Sequence, residues 1–350
     1  MAGGVGSRFW PASTEELPKQ FLDITGQGKS LLQLTYNRFV QFIPKERILV
    51  VTNQKYKNLV EEHLPYLPDE NILLEPSRNN TAPCIAYAAF HLKARDPKAN
   101  MVVAPSDHII EKSTAFIAAI KDGFTFVEND DVILTLGMRP TRPDTGYGYI
   151  QYNNNDDQLV GNSIIFKVKK FTEKPDKEKA RKFLASGDYV WNAGIFLFSV
   201  QTILDAFEQV ATEIYLPLAE DESVYGTAHE KSYLDKHYPK TPNVSVDYAI
   251  MEKVENIYTL PAQIGWSDLG TWGAVYELWE KDKDGLVLQH EGDHLIEGNK
   301  NSILRLNNKK KVIIKGLDNF IVVDTDDALL IYPKREEQNI KTDRNRLLNE

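Results

Sequence analysis

Met101 to Ile110 reads MVVAPSDHII. Its apolar start reads as a strand over Met101 to Ala104, and the run stops abruptly at Ser106-Asp107-His108. On the N-terminal side, Thr81 to Arg95 carries apolar residues at helical spacing, with Pro83 in the first turn. On the C-terminal side, Ser113 to Glu128 reads as a helix and Val132 to Leu136 as a strand. Further upstream, Arg47 to Thr52 and Asn71 to Leu74 read as strands around a helix at Gln54 to Leu64. Strands alternating with helices predict βαβ units, an α/β class and a mostly parallel sheet covered on both faces.

Downstream the pattern is mixed. Tyr147 to Tyr152, Ile164 to Phe171 and Gly194 to Val200 read as strands, and Asp176 to Ser186 as a helix. A further helix is expected to run to about Thr212, and another over Thr271 to Lys281. Glu213 to Pro242 has weaker periodicity and holds Pro217, Gly226, Pro239 and Pro242, so it is expected to wander over the surface. Beyond Lys281-Asp282-Lys283-Asp284-Gly285 come short β-type runs, LVLQH, SILRL, KVIIKG, FIVVDT and ALLIYP, separated by turn residues. The reading is two domains: residues 1–282 as the α/β domain, and residues 283–350 as a small β domain with a charged tail.

The chain has 350 residues, 41 Lys plus Arg and 50 Asp plus Glu, for a net charge of −9. That balance, without a long basic run, argues against nucleic acid or an anionic membrane surface as partner. Cys84 is the single cysteine, so no intrachain disulfide forms. No apolar run reaches the roughly 18 residues of a membrane span, and no secretory signal pattern opens the sequence. The expectation is a cytoplasmic protein.

Four constellations carry chemistry. Gly3, Gly4 and Gly6 in AGGVGSRFWPAS can turn backbone N–H groups toward a phosphate, and Arg8 adds a fork of donors. Lys19 follows in PKQF. Asp107 sits at the C-terminal end of a predicted strand, where open α/β sheets bind ligands. Asp268 lies in GWSDLGTW and could equally cap the helix behind it. Two carboxylates suit a divalent cation such as Mg²⁺. Glu173-Lys174-Pro175 offers a cation and an acceptor, DTGYGY holds Gly146, and WNAG holds Asn192, whose amide both donates and accepts. Together they point to chemistry on a nucleoside triphosphate.

In their joint order these segments resemble the sugar-1-phosphate nucleotidyltransferases, and within them the mannose-1-phosphate guanylyltransferases. The matching stretches are AGGVGSRFWPAS with PKQF, EPSRNNTAP, VVAPSDH, DTGYGYI, FTEKP, WNAGIF, SVDYAIMEK, GWSDLGTW and VVDTDDALLIYPK. The resemblance implies a Rossmann-like mixed sheet of the nucleotide-diphospho-sugar transferase type, followed by a small left-handed β-helix-like domain. It implies GTP and mannose 1-phosphate as substrates and Mg²⁺ held by Asp107 and Asp268. Gly3, Gly4, Gly6, Arg8, Lys19, Glu75, Asn80, Thr81 and Ser106 would contact the nucleotide. Gly146, Glu173, Lys174 and Asn192 would hold the sugar phosphate. Arg8, Lys19, Asp107, Lys174 and Asp268 would carry the catalysis.

Two departures stand out. The family's base-side segment runs E-P-x-G-R-N-T-A-P, whereas Arg78 here comes one position earlier. The family also carries a buried strand before its glycines, so the natural protein is expected to begin upstream of Met1. A different sugar or base, and a catalytically silent regulatory subunit, are the alternative readings. The sequence leaves a homodimer open.

Overall fold

The computed structural model describes residues 1–4, 6–128 and 130–348. It is a mixed α/β protein that separates into two compact units. One comprises Met1–Gly3, Phe39–Pro105 and Ile110–Trp266; the other comprises Gly4–Arg38, Ser106–Ile109 and Ser267–Glu350.

The first unit is built on a six-stranded sheet ordered Asn100–Val103, Tyr189–Ser199, Ile133–Met138, Ile257–Ala262, Ser163–Thr172, Tyr149–Val160. Ile133–Met138 pairs parallel with Ile257–Ala262, while Tyr189–Ser199 runs antiparallel between Asn100–Val103 and Ile133–Met138. The sheet is therefore mixed rather than mostly parallel: Tyr189–Ser199 and Ser163–Thr172 both run against the other four strands, and Ile133–Met138 with Ile257–Ala262 is its parallel pairing. Every side chain of ILTLGM at Ile133–Met138 is buried, as a strand covered on both faces requires. Val50–Asn53 and Ile72–Glu75 form a separate parallel pair. Ala2 joins that region: its N–H donates to the Val51 carbonyl at 2.8 Å, and its own carbonyl accepts from Thr52 Oγ1 at 2.8 Å.

The helix Thr81–Arg95 forms as its spacing predicts, capped by Asn80, whose side chain accepts from Thr81 N–H. Asn80 takes a φ of 70°, which asparagine tolerates better than most residues.

The stretch expected to wander over the surface does not. Residues 212–240 form the helices Thr212–Ala219 and Glu230–His237, with 3₁₀ turns at Glu222–Val224 and Tyr238–Lys240. Ile214, Leu218, Leu234 and Tyr238 are at most 2% exposed. Tyr225 stacks on Phe90 with ring centroids 5.3 Å apart. Each helix is too short, and one too interrupted by Pro217, to show a 3.6-residue period over a long window. Large side chains in the segment supply the burial that periodicity did not announce.

The second unit gathers three separated segments around one core. Phe9, Leu22 and Leu31 pack in the same cluster as Ile109, Leu269, Trp272 and Val275. Its C-terminal part is β-helix-like: Val287–Gln289, Ile303–Arg305 and Phe320–Asp324 stack in parallel register, with Val287, Ile303 and Ile321 side by side. His294–Glu297 and Val312–Lys315 form a second parallel pair. The chain closes with the antiparallel strand Leu329–Pro333 and the helix Ile340–Leu348.

If Leu218 belongs to the core, Leu218→Ala should cost about 2–5 kcal/mol of stability. A surface position would lose less than about 0.5 kcal/mol. Urea unfolding of the two proteins separates the cases.

Candidate active site

In the second unit, Lys19 is the central group. It lies on a short turn, Lys19–Phe21, and is only 4% exposed. Its ammonium sits 3.0 Å from Asp107 Oδ2 and donates to the Asp268 carbonyl at 2.6 Å. The sequence-predicted Lys19, Asp107 and Asp268 are thus brought together. Gly6 explains how the loop permits this. With φ 71°, it lies so close to Lys19 that a Cβ there would stand 2.5 Å from the lysine's own Cβ. Only glycine fits such a left-handed, crowded position. Gly4 has open space around it. Arg8 lies on the Ser7–Phe9 turn, and its charge reaches the Glu337 carboxyl.

Burial raises the Asp107 carboxyl, but the Lys19 ammonium and His108 pull harder, and the net is below the usual aspartate range. Its side chain remains about a third exposed, at 32%, so the carboxylate is open to a ligand. Burial pushes the His108 imidazole below its ordinary value, against the pull of Asp107 and Asp268. Both carboxylates therefore act on one neutral ring. Ser106 is 4% exposed, and its Oγ has no hydrogen-bond partner among the described residues.

Asp268 is not the cap of the following helix. Thr271 is: its side chain accepts from Ala274 N–H, while Asp268 Oδ1 accepts from Gly270 N–H at 3.1 Å. Leu269 beside it is held at φ 45°, unusual for a residue with a branched side chain. Asp107 and Asp268 carry carboxylate oxygens, the ligand type a divalent cation takes with phosphate and water, while the Lys19 ammonium has no lone pair to offer one; no group of three or more such ligands forms among the described residues.

The first unit holds the remaining predicted residues. Glu75 is 6% exposed and accepts from the Tyr238 hydroxyl; burial raises its carboxyl. A Cβ on Gly3 would come within 3.7 Å of Glu75 Oε2. Thr81 Oγ1 accepts from Val246 N–H at 2.9 Å. The displaced Arg78 donates to the Tyr56 hydroxyl, and Asn79 is spent on Tyr238 and Thr241.

A second cluster forms around Glu173. Lys174 pairs with it, exposed by 59% against 7% for Glu173, and takes a φ of 44°. A Cβ on Gly148 would overlap Glu173 Oε2, so a larger residue there would displace that carboxylate. Gly146 N–H is turned onto Asp144 Oδ1 at 2.8 Å. Asn192 lies where the pairing of Tyr189–Ser199 with Ile133–Met138 shifts register, a bulge that re-aims its side chain. Its Nδ2 donates to Asp247 Oδ1 at 2.8 Å.

Asp247 is the residue that sequence reasoning missed. Its segment, SVDYAIMEK, was visible, but nothing in the local pattern marks the aspartate. Burial, then the Glu173 carboxylate, push its carboxyl up to about 6.

The fold is that of an α/β enzyme, with charged side chains gathered around Lys19 in one unit and around Glu173 in the other. Residues 1–285 match the nucleotidyl transferase family, and the chain belongs to it. It is 36% identical to mannose-1-phosphate guanylyltransferase 2 of Escherichia coli O157:H7, covering 97% of this chain and 71% of that protein. It is 37% identical to the alginate biosynthesis protein AlgA of Pseudomonas fluorescens, covering 97% and 69%. A crystal structure from Thermus thermophilus, described as a mannose-1-phosphate geranyltransferase, superposes with a TM-score of 0.86. It is 28% identical, over 99% of this chain and 97% of that one. No helix among the described residues is long and apolar enough to cross a membrane.

Asp247 also makes a stability prediction. Its folded carboxyl, at about 6, lies above the unfolded value, so the folded state holds the proton more tightly. Stability from that proton is present below about pH 4 and is lost as pH rises through about 6. Two pH units correspond to about 3 kcal/mol at most. Asp247→Asn should therefore melt like the parent near pH 4 and higher than the parent above pH 7. Thermal melts across pH check this.

Proposed function

We propose that this nucleotidyltransferase moves a guanylyl group from GTP to mannose 1-phosphate, giving GDP-mannose and pyrophosphate. The observation that carries the reaction type is the Lys19 ammonium, held between Asp107 and the Asp268 carbonyl. The choice of substrates is supported by the relatives named for mannose-1-phosphate guanylyl transfer.

The chemistry is an in-line displacement. A phosphate oxygen of the sugar phosphate forms a bond to the α-phosphorus, and the bond to the β-bridging oxygen breaks. Pyrophosphate leaves with the electron pair. No covalent intermediate on the protein is needed, so catalysis is positioning and charge neutralisation. Gly4 and Gly6 turn backbone toward the phosphates, and Arg8 meets the outer ones. Lys19 neutralises charge near the α-phosphate, exchanging Asp107 for phosphate oxygens. Asp107 and Asp268 would hold Mg²⁺, which supplies Lewis-acid neutralisation of phosphate charge when bound. Lys174 takes the sugar phosphate, and Glu173 and the backbone at Gly146 contact the sugar. Glu75, with Gly3 close to its second oxygen, offers an acceptor to the exocyclic amine that guanine carries and adenine lacks. Ser106, Asn80 and Thr81 complete the nucleotide contacts. A cytoplasmic setting suits the buried, unpaired Cys84 thiol.

Asp107→Asn and Asp268→Asn should each lower turnover by at least about 10²-fold; Asp268→Asn keeps the carbonyl that binds Lys19 and should fold nearly intact, whereas Asp107→Asn removes the carboxylate that pairs the Lys19 ammonium and should also melt lower. Pyrophosphate release, measured beside thermal melts, is the readout. A folded variant with near-normal turnover and unchanged Mg²⁺ dependence would remove that aspartate from the metal site.

A matrix of competing substrates tests the rest. GTP should exceed ATP by about 10⁴-fold in kcat/KM if buried polar groups read the base. Discrimination of mannose 1-phosphate from glucose 1-phosphate should be weaker, since one hydroxyl orientation distinguishes them. A preference for UTP or dTTP, or for glucose 1-phosphate, would assign the chain a sister activity.

A further inference from the structure

The Asn192 amide is largely committed inside the protein. Its Oδ1 accepts from Gly194 N–H at 2.9 Å and lies 3.3 Å from Thr135 Oγ1, whose one hydrogen is shared with the Ile195 carbonyl at the same distance. Its backbone N–H goes to the Gly148 carbonyl at 2.8 Å. One Nδ2 hydrogen goes to Asp247 Oδ1 at 2.8 Å. What Asn192 does within the protein is fix Asp247.

Asp247 opens a π-helical turn, Asp247–Met251, whose Ala249, Ile250 and Met251 are buried anchors. Such turns are rare and recur at functional sites. The Glu173 carboxylate is the strongest charge acting on Asp247, and Lys174 follows. Glu173 is itself fixed from two sides, by the Lys174 ion pair and by its own N–H, which donates to Glu252 Oε1 at 3.2 Å. The missing Cβ of Gly148 leaves the space that Glu173 Oε2 occupies. The two carboxyls thus belong to one cluster: Glu173 Oε2 and Asn192 Cβ both border Gly148, Asn192 holds Asp247, and Glu252, which binds Glu173 N–H, directly follows the Asp247–Met251 turn.

We propose that Asp247, paired with Glu173, reads two neighbouring hydroxyls of the hexose and so sets which sugar epimer is accepted. The inference rests on the sugar phosphate reading above. With its carboxyl raised only to about 6, Asp247 is mostly ionised above neutrality, so it and Glu173 offer carboxylate acceptors in one cluster. Vicinal hydroxyls, each able to donate, match that arrangement. A purely structural role would be filled equally by asparagine, which keeps the acceptor for Asn192 and lacks the charge.

The test compares the full chain with Asp247→Asn, using GTP, Mg²⁺ and four acceptors: mannose 1-phosphate, its C2 epimer glucose 1-phosphate, and the 2-deoxy and 3-deoxy analogues. In the variant, KM for mannose 1-phosphate should rise by about tenfold or more, while KM for GTP stays within about twofold. Preference for mannose over its epimer should shrink by a similar factor. At least one deoxy analogue, poor for the parent, should lose its disadvantage. The limb near pH 6 in the kcat/KM profile, set by Asp247 with Glu173, Lys174 and Glu252 around it, should disappear. Asp247→Glu should keep that limb and lose the epimer preference. A variant that melts as a folded protein, yet keeps the KM, the epimer ratio and the deoxy penalties, overturns the proposal. Parent protein that turns over neither sugar phosphate overturns the proposed reaction and this inference with it. An active parent matched by its asparagine variant overturns this inference alone.

Discussion

A buried ammonium must be paired, and Lys19 is that ammonium. At 4% exposure it has lost nearly all of its water, and an uncompensated charge there would cost several kcal/mol. Its partners come from the two other segments of its unit, Asp107 from Ser106–Ile109 and the Asp268 carbonyl from Ser267–Glu350. The three pieces therefore meet at one group. Gly6 is crowded against Lys19, so the glycine loop is positioned by the same contact. The hydrophobic cluster of Phe9, Leu31, Trp272 and Ile303 supplies the bulk of the burial. The ion pair supplies the register in which the segments close.

Strain concentrates beside the functional side chains. Lys174 and Leu269 are the two described residues that adopt positive φ without being glycine or asparagine. One adjoins Glu173 and the other Asp268. Holding either residue so costs on the order of 1–3 kcal/mol, which persists only where the surroundings over-determine it. The π-helical turn at Asp247 and the register shift at Asn192 are of the same kind. In each unit, irregular backbone aims a side chain that regular structure would have pointed elsewhere.

The strands and helices of the first half were legible because their apolar runs are long and bounded by turn residues. The helix Thr81–Arg95 shows the strength of that reading, since its period and cap are both local. Residues 212–240 show its limit. Their helices hold eight residues or fewer, and Leu218, Tyr225 and Tyr238 are buried by partners such as Phe90 that lie far away in the chain. The β-helix-like strands were legible as strands, while their parallel stacking, Val287 on Ile303 on Ile321, is a long-range fact.

For the site, residue chemistry belonged to the sequence. Glycines before Arg8, a lysine in PKQF, aspartates in PSDH and WSDL, and a Glu-Lys pair before proline declare phosphate, cation and hydroxyl chemistry wherever they fold. Which of them act, and through whom, was decided by tertiary structure. Asp268 was freed from capping because Thr271 takes that role. Asn192, which the sequence offers as a hydroxyl reader, is also the support of Asp247, because its Nδ2 donates to that carboxyl. Asp247 acquired its raised carboxyl only from burial and from Glu173, which lies far earlier in the chain. Side-chain chemistry is a local property. Hydrogen-bond saturation and electrostatic neighbourhood are properties of the folded chain, and no spacing along it encodes them.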